Sequence, residues 1–311
     1  MNTEVCCLGH MCTDILVKNV DSYPKTGQLL PVDSITQKTG GCAMNAAIGL
    51  AKLGVRTALI GKVGDDGFGR FIRKTLEDSG VNTDGLTVDH DSSTSSTVVL
   101  TRSDGERSFL HCYGTNATLC AADVNLDIVK SSRILFIGGA FLTPRFDGED
   151  AAAVLYEARK EGVLTAMDTA WDASGKWLDT IESNLPFLDW FMPSIEEAEQ
   201  MFGTRDEAEL AKIIKDHGVK NVAVKMGAEG CYLEPENETG TWYPVFPVKS
   251  VDTTGAGDAW CAGFLSALIR GLAPADAAVW GNAAGALCIT QIGTTAGLRN
   301  REETEAFINA H

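Results

Sequence analysis

Four short apolar segments dominate the middle of the chain: RILFIGG (133–139), VLTAMD (163–168), DWFMP (189–193) and VKNVAVKMG (219–227). Between them lie EDAAAVLYEARKEG, SGKWLDTIESN, SIEEAEQMFG and DEAELAKIIKDHG, which carry apolar residues at helical spacing. Strands of this length separated by helices form βαβ units, and such units build a parallel sheet with helices on both faces. The N-terminal part repeats the alternation. EVCCLG reads as a strand, CAMNAAIGLAKLG as a helix stopped by Gly54, VRTALIGKVG as a strand, and GFGRFIRKTLEDSG as a second helix.

Two segments interrupt that order, at about 11–38 and 90–113. In the first, TDILVKNV alternates like a half-buried strand. In the second, Ser103-Asp104-Gly105 is a hairpin signal between two β-rich runs. Both excursions are expected to form one small β-lid on a single domain of 1–311. The last third, Gly255 to Gly271 and Pro274 to Ile292, reads as two Ala-rich helices.

Composition narrows the partners. A net charge of −16 over 311 residues sets up a field that repels nucleic acid and anionic membranes. A nucleotide is still allowed, because backbone N–H groups bind small anions locally. The nine cysteines are odd in number and contain no CxxC, and the five histidines lack metal-ligand spacing. Reduced thiols and a cytoplasmic location are therefore expected. MNTEVCCLGHM has no basic n-region, and no run of 18 apolar residues occurs, so neither a signal peptide nor a membrane span is expected.

The densest motif is VDTTGAGDAWCAGF (251–264), an extended segment, a Gly-rich turn and a helix start. Read locally, it admits two accounts. Gly255-Ala256-Gly257 is either a plain turn, with Asp258 complementing the helix dipole, or an anion cradle with Asp258 poised as a base. A carboxylate in a first helical turn is expected to have a low pKa. The dinucleotide fingerprint fails at Trp260, and no GxxxxGK[ST] occurs. Thr39-Gly40-Gly41-Cys42-Ala43-Met44-Asn45 permits close backbone approach to a ligand, or is a tight turn into a helix. Ser194 is a good N-cap with Glu197 at the capping-box position, and Lys225 to Gly230 forms a turn between strands or a floor for a flat ring.

Taken in order, these motifs resemble the ribokinase-like (PfkB) carbohydrate kinase family over nearly the whole chain. The carrying residues are Gly40-Gly41 with Asn45, Gly61-x-Val63-Gly64-x-Asp66-x-Phe68-Gly69, Gly114-x-Asn116-Ala117, Glu197, Lys225-x-Gly227 and Asp252-Thr253-Thr254-Gly255-Ala256-Gly257-Asp258. The resemblance implies a three-layer α/β/α sandwich with a β-lid, and ATP-dependent phosphorylation of a hydroxymethyl group on a sugar-like substrate. It makes Asp258 the catalytic base and the N–H groups of Gly255, Ala256 and Gly257 the anion hole. It assigns Asp14, Gly40, Gly41 and Asn45 to the sugar, with Asp14 at one end of the first lid excursion. Ser194, Lys225, Gly227, Gly230 and Asn282 go to the nucleotide, and Glu197 to Mg²⁺ through water. Asp252 and Thr254 match a loop that holds a monovalent cation such as K⁺ in many members.

Three positions depart from the pattern. Cys42 stands where ribokinases proper carry Lys, Ser194 replaces the usual Asn, and Gly138-Gly139-Ala140 occupies the place of a substrate-binding Glu. These departures point away from ribose. Among other acceptors, a nucleoside would need a slot lined by Phe109, Tyr113 and Phe141, unless those rings simply pack. A sugar acid would pair with Arg102 or Arg107, unless those are solvated hairpin residues. An inactive ligand sensor remains a third reading, against which the intact Gly-Ala-Gly-Asp weighs. Exposed lid strands are expected to pair two copies of the chain.

Overall fold

The structure is a computed structural model that describes residues 3–311; Met1 and Asn2 of the opening segment lie outside them. Strands β1 (Val5–Gly9), β4 (Thr57–Gly64), β5 (Asn82–Asp89), β8 (Ile134–Ala140), β9 (Leu164–Thr169), β10 (Trp190–Phe191), β11 (Asn221–Lys225), β12 (Cys231–Glu234) and β13 (Thr241–Tyr243) form one sheet. Its order is β13-β12-β11-β10-β9-β8-β1-β4-β5. Every pair from β5 to β11 is parallel, and β12 and β13 add antiparallel at one edge.

Helices cover both faces. Helices α1 (Cys42–Lys52), α2 (Gly67–Asp78), α8 (Ala256–Ile269) and α9 (Pro274–Cys288) bury apolar residues on one side. Helices α4 (Glu149–Lys160), α6 (Ile195–Phe202) and α7 (Glu207–Asp216) do so on the other. Short α3 (Leu126–Ser131) and α5 (Leu178–Ile181) lie in connections, and α10 (Arg301–Asn309) ends the chain. The architecture is the expected α/β/α sandwich with a mainly parallel sheet. Fully buried Phe136, Phe191 and Phe264 each contribute roughly 1.5–3 kcal/mol from the apolar surface they remove from water.

The Ala-rich pair α8 and α9 packs closely because small residues leave room. A Cβ at Gly281 would stand 2.7 Å from the Trp260 ring, which itself stacks on Phe264 at 4.9 Å.

The excursions form a separate four-stranded sheet of order β3-β2-β6-β7, from β2 (Cys12–Lys18), β3 (Ser34–Gly40), β6 (Ser96–Thr101) and β7 (Arg107–Cys112). The two excursions join through the parallel β2–β6 pair, Thr13 opposite Ser96 through Lys18 opposite Thr101. Lys38, Asp14, Thr97 and His111 therefore lie in one row across the lid. Asp14 is the third residue of β2.

SGKWLDTIESN is not one helix. It gives the single turn of α5 and then a 3₁₀ stretch to Phe187 containing Pro186. The Asp172 carboxylate accepts from Ser174 N and Trp177 N, a local set of bonds that competes with helix formation at its start.

Candidate active site

The strand order reverses at β1, which lies between β8 and β4. In open α/β sheets the crevice at the carboxyl ends of the strands beside such a point is where ligands bind. Here those ends supply His10 after β1, Gly138-Gly139 in β8, Asp168 in β9, Ser194 after β10 and Lys225 in β11. A cavity of about 870 Å³ lies along the last three of these, with Lys225, Gly227, Trp260, Asn282, Gly257 and Asp258 in its wall.

Helix α8 starts at Gly255, whose φ of +81° favours glycine; a Cβ there would stand 2.6 Å from the Thr294 carbonyl oxygen. Ala256 and Gly257 follow as the first helical residues; Ala256 N donates to the Thr253 carbonyl at 3.2 Å, and Gly257 N has no intrahelical acceptor. A Cβ on Gly257 would stand 3.3 Å from Lys225 Nζ, so the ammonium lies directly against the turn.

Asp258 lies in the first turn, where Asn45 Nδ2 donates to its Oδ2 at 2.7 Å. Asn45 Oδ1 in turn accepts from Thr294 Oγ1 at 2.9 Å. Burial pushes the Asp258 carboxyl up, against the opposing pull of the Asn45 and Cys42 hydrogen bonds and of the Lys225 charge. The low pKa expected from the helix terminus is thus overturned, because desolvation outweighs the dipole. Burial also holds the Cys42 thiol well above its usual range, with Asp258 adding to the effect, so Cys42 stays neutral.

Lys225 pairs with Asp168, which is only 2% exposed. Burial acts to lower the Lys225 pKa, but Asp168 and Glu197 overcome it and hold the ammonium charged. Glu197 Oε2 accepts from Thr169 Oγ1 at 2.8 Å and from Ser194 N at 3.0 Å, and Ser194 Oγ caps α6 through Glu197 N. The capping box is therefore present and faces the cavity.

Gly227 and Gly230 both have positive φ in the turn between β11 and β12, and Gly230 packs against the 243–245 backbone. Asn282 borders the cavity with its amide committed: Nδ2 donates to the carbonyls of Tyr243 and Pro244 at 2.9 and 3.0 Å. Its Oδ1 accepts from Trp260 Nε1 at 2.8 Å. It ties the cavity wall together.

On the lid side, Gly40 leaves the room that the Asp14 carboxylate fills, and Gly41, with φ +103°, packs on Met11 and His10. Burial raises the Asp14 pKa, and Cys12 Sγ donates to its Oδ1 at 3.4 Å. Neither lid arginine is free. Arg102 pairs with Asp104, and Arg107 reaches Asp252 and Thr254. Phe141 packs edge-on against Trp177 at 5.6 Å, and Tyr113 against His111 at 4.9 Å; only Phe109 of the three rings is widely exposed.

The sequence did not single out Asp168 or His10. The available signal was position, a lone polar residue at the carboxyl end of a parallel strand. His10 is buried with both ring nitrogens unpartnered, as is Asn116 Oδ1, and desolvation lowers the His10 pKa to about 3. Unpartnered buried polar atoms cost roughly 1–3 kcal/mol each unless water or a ligand meets them; Asn184 Oδ1 and Arg270 Nη2, outside the cavity lining, are unpartnered as well.

A doubly flanked parallel sheet, a β-lid and a Gly-Ala-Gly-Asp helix start beside a buried lysine define a phosphotransferase of ribokinase fold. The model of the pfkB family carbohydrate kinases matches residues 2–301, and the chain belongs to that family. It is a carbohydrate kinase with an alcohol group as acceptor. A 2-dehydro-3-deoxygluconokinase of Bacillus subtilis (strain 168) is 28% identical over 295 residues, 91% of this chain and 90% of that one. Probable fructokinase-5 of Arabidopsis thaliana is 29% identical over 310 residues, covering 94% and 95%. The solved ribokinase of Thermotoga maritima superposes with a TM-score of 0.83 at 27% identity, covering 99% of each chain.

Proposed function

We propose that the chain, as one lidded kinase domain, transfers the γ-phosphoryl group of ATP to a primary hydroxyl of a neutral sugar. The observation that carries this reading is the helix start at Gly255, with Lys225 Nζ against Gly257 and Asn45 bonded to Asp258, beside the cavity. A sugar acid would have to draw its cation from Lys38, opposite Asp14 in the lid row, because Arg102 and Arg107 are paired, whereas sugar hydroxyls suit His10, Asn116 and the Asp14 carboxylate. Gly40 and Gly41 let the lid base approach that acceptor. Phe141 is packed on Trp177, which disfavours the slot a nucleoside requires.

In this reading the nucleotide lies along Lys225, Gly227, Gly230 and Asn282, with Ser194 shaping the wall through its cap. Asn282 acts by holding the 243–244 backbone. In this role the N–H groups of Gly255, Ala256 and Gly257 face the charge that develops on the transferring phosphoryl group, Ala256 N turning from the Thr253 carbonyl, and Lys225 adds a fixed positive charge beside them. Asn45 aims the Asp258 carboxylate, which accepts the proton of the attacking hydroxyl. The carboxylate of Glu197 is a hard oxygen donor that suits Mg²⁺ held through water; Mg²⁺ neutralises phosphate charge when bound. Lid closure excludes water from the transfer.

The test is an ADP-release screen over neutral ketohexoses and pentoses, 2-keto-3-deoxy sugar acids and nucleosides. A neutral sugar is expected to give a kcat/KM at least about tenfold above the other classes. A sugar acid or nucleoside in first place would overturn the substrate class, and no turnover with any of them would favour a ligand sensor.

The reading includes a cytoplasmic setting and no nucleic-acid or membrane partner, in keeping with the acidic charge and nine free thiols. Among the described residues no helix is long and apolar enough to cross a membrane. It also includes a dimer through the lids. On the lid face opposite His111, Ile35 (67% exposed) and Leu110 (56% exposed) flank half-buried Ile15, Val98 and Leu100. Sedimentation should show a dimer that Leu110→Glu converts to monomers; a monomeric wild type would refute it.

A further inference from the structure

The loop leading into Gly255 carries one carboxylate, and its oxygens are occupied. Asp252 Oδ1 accepts from Thr254 N at 3.1 Å and from Thr254 Oγ1 at 2.7 Å, while Oδ2 accepts from Gly293 N at 3.0 Å. Onto this loop comes Arg107 from lid strand β7. Its Nη1 donates to Thr254 Oγ1 at 2.9 Å, and both terminal nitrogens lie 3.5 Å from Asp252 Oδ1. The Arg107 charge in turn helps hold the Asp252 carboxyl below its usual range, behind the Thr254 and Gly293 hydrogen bonds, which outweigh its burial.

Asp252 and Thr254 are the residues that the family resemblance ties to a monovalent cation. They do not fit one here. A second positive charge would have to share Asp252 Oδ1 with the guanidinium, and the two cations would repel.

We infer that Arg107 is a built-in replacement for the monovalent cation: its guanidinium supplies from the lid the positive charge of the loop that positions the anion hole. Arg107 is a positioning residue. It touches Asp252 and Thr254, which set the entry into Gly255, and through them it fixes the N–H groups that follow. Because it rides on β7, the charge reaches the loop only while the lid lies over the site. Closure and preparation of the anion hole thus become one event. Arginine suits this place because it stays charged at any working pH and spreads several donors over neighbouring oxygens.

The inference rests on the kinase reading for its effect on rate, but one of its tests does not. In the full-length chain without ATP or acceptor, K⁺ is exchanged for tetramethylammonium at a constant ionic strength of about 0.1 M. The wild type should unfold at the same temperature in both salts, whereas Arg107→Gln should gain about 2 °C in K⁺, having opened a cation site. In ADP release with the best acceptor, the wild type should be indifferent to K⁺. Arg107→Gln should be about tenfold slower in tetramethylammonium and recover in K⁺, and Arg107→Lys should remain K⁺-independent.

A wild type that K⁺ stimulates overturns the inference. So does an Arg107→Gln protein that K⁺ neither stabilises nor reactivates. If no acceptor releases ADP, the kinase reading fails, and the melting comparison still decides the role of Arg107.

Discussion

Asp258→Asn is expected to bind sugar and nucleotide with little change and to turn over at least about 10²-fold slower. The amide keeps the shape of the carboxylate and its contact with Asn45 but accepts no proton from the hydroxyl. A loss confined to kcat is the signature of an interaction that acts in the transition state. Near-wild-type turnover would remove Asp258 from the role of base.

The pH dependence supplies an independent mark. A base works ionised, so in the role proposed for Asp258 activity is present above its pKa and is lost as pH falls through it. Since burial raises that pKa, the acid limb of kcat/KM should lie above the ordinary carboxylate range. Stability moves in the opposite sense. A carboxyl whose pKa is raised on folding contributes most at low pH, and that contribution is lost as pH rises through the folded value. Asp258→Asn should therefore melt above wild type at neutral pH, with the gap closing toward pH ~4. An unchanged acid limb in the variant would show that another group controls it.

Lys225→Met is expected to lower both stability and rate. It leaves the Asp168 carboxylate buried without its partner, a change that typically costs about 3–5 kcal/mol and should lower the melting temperature by roughly 10 °C. It also removes the fixed charge next to Gly257, in the proposed anion hole. Turnover should fall at least about 10²-fold.

The double variant Asp168→Asn with Lys225→Met separates these effects. Removing the stranded charge should recover most of the melting temperature while the rate stays low. Recovery of both would mean that Lys225 serves only to neutralise Asp168.

Much of the frame was legible because its signals are local. The apolar runs ending at Gly139, Asp168, Pro193 and Gly227 did become parallel strands, and the residues after Gly41 and Gly255 did start helices. The Ser194–Glu197 capping box formed as its spacing required. One available signal was missed. Asn300 with Glu303 makes the same kind of box and starts α10. The stretch SGKWLDTIESN misled for a physical reason, since its helical periodicity ignored the Asp172 carboxylate that binds Ser174 N and Trp177 N first.

The sequence by itself determined the α/β alternation, the two excursions and the order of motifs that mark a pfkB family kinase. The first two depend on periodicity and turn chemistry, and the third on the resemblance that those motifs bear to the family. Only the tertiary structure decided the electrostatics of the site. Asp258 gained a raised pKa because the fold encloses it, against what its helix position alone dictates. Asp168 met Lys225 across 57 residues, and Arg107 met Asp252 across 145, through strand order and lid closure. Desolvation and charge pairing depend on distances in space, and no local pattern in the chain encodes those distances.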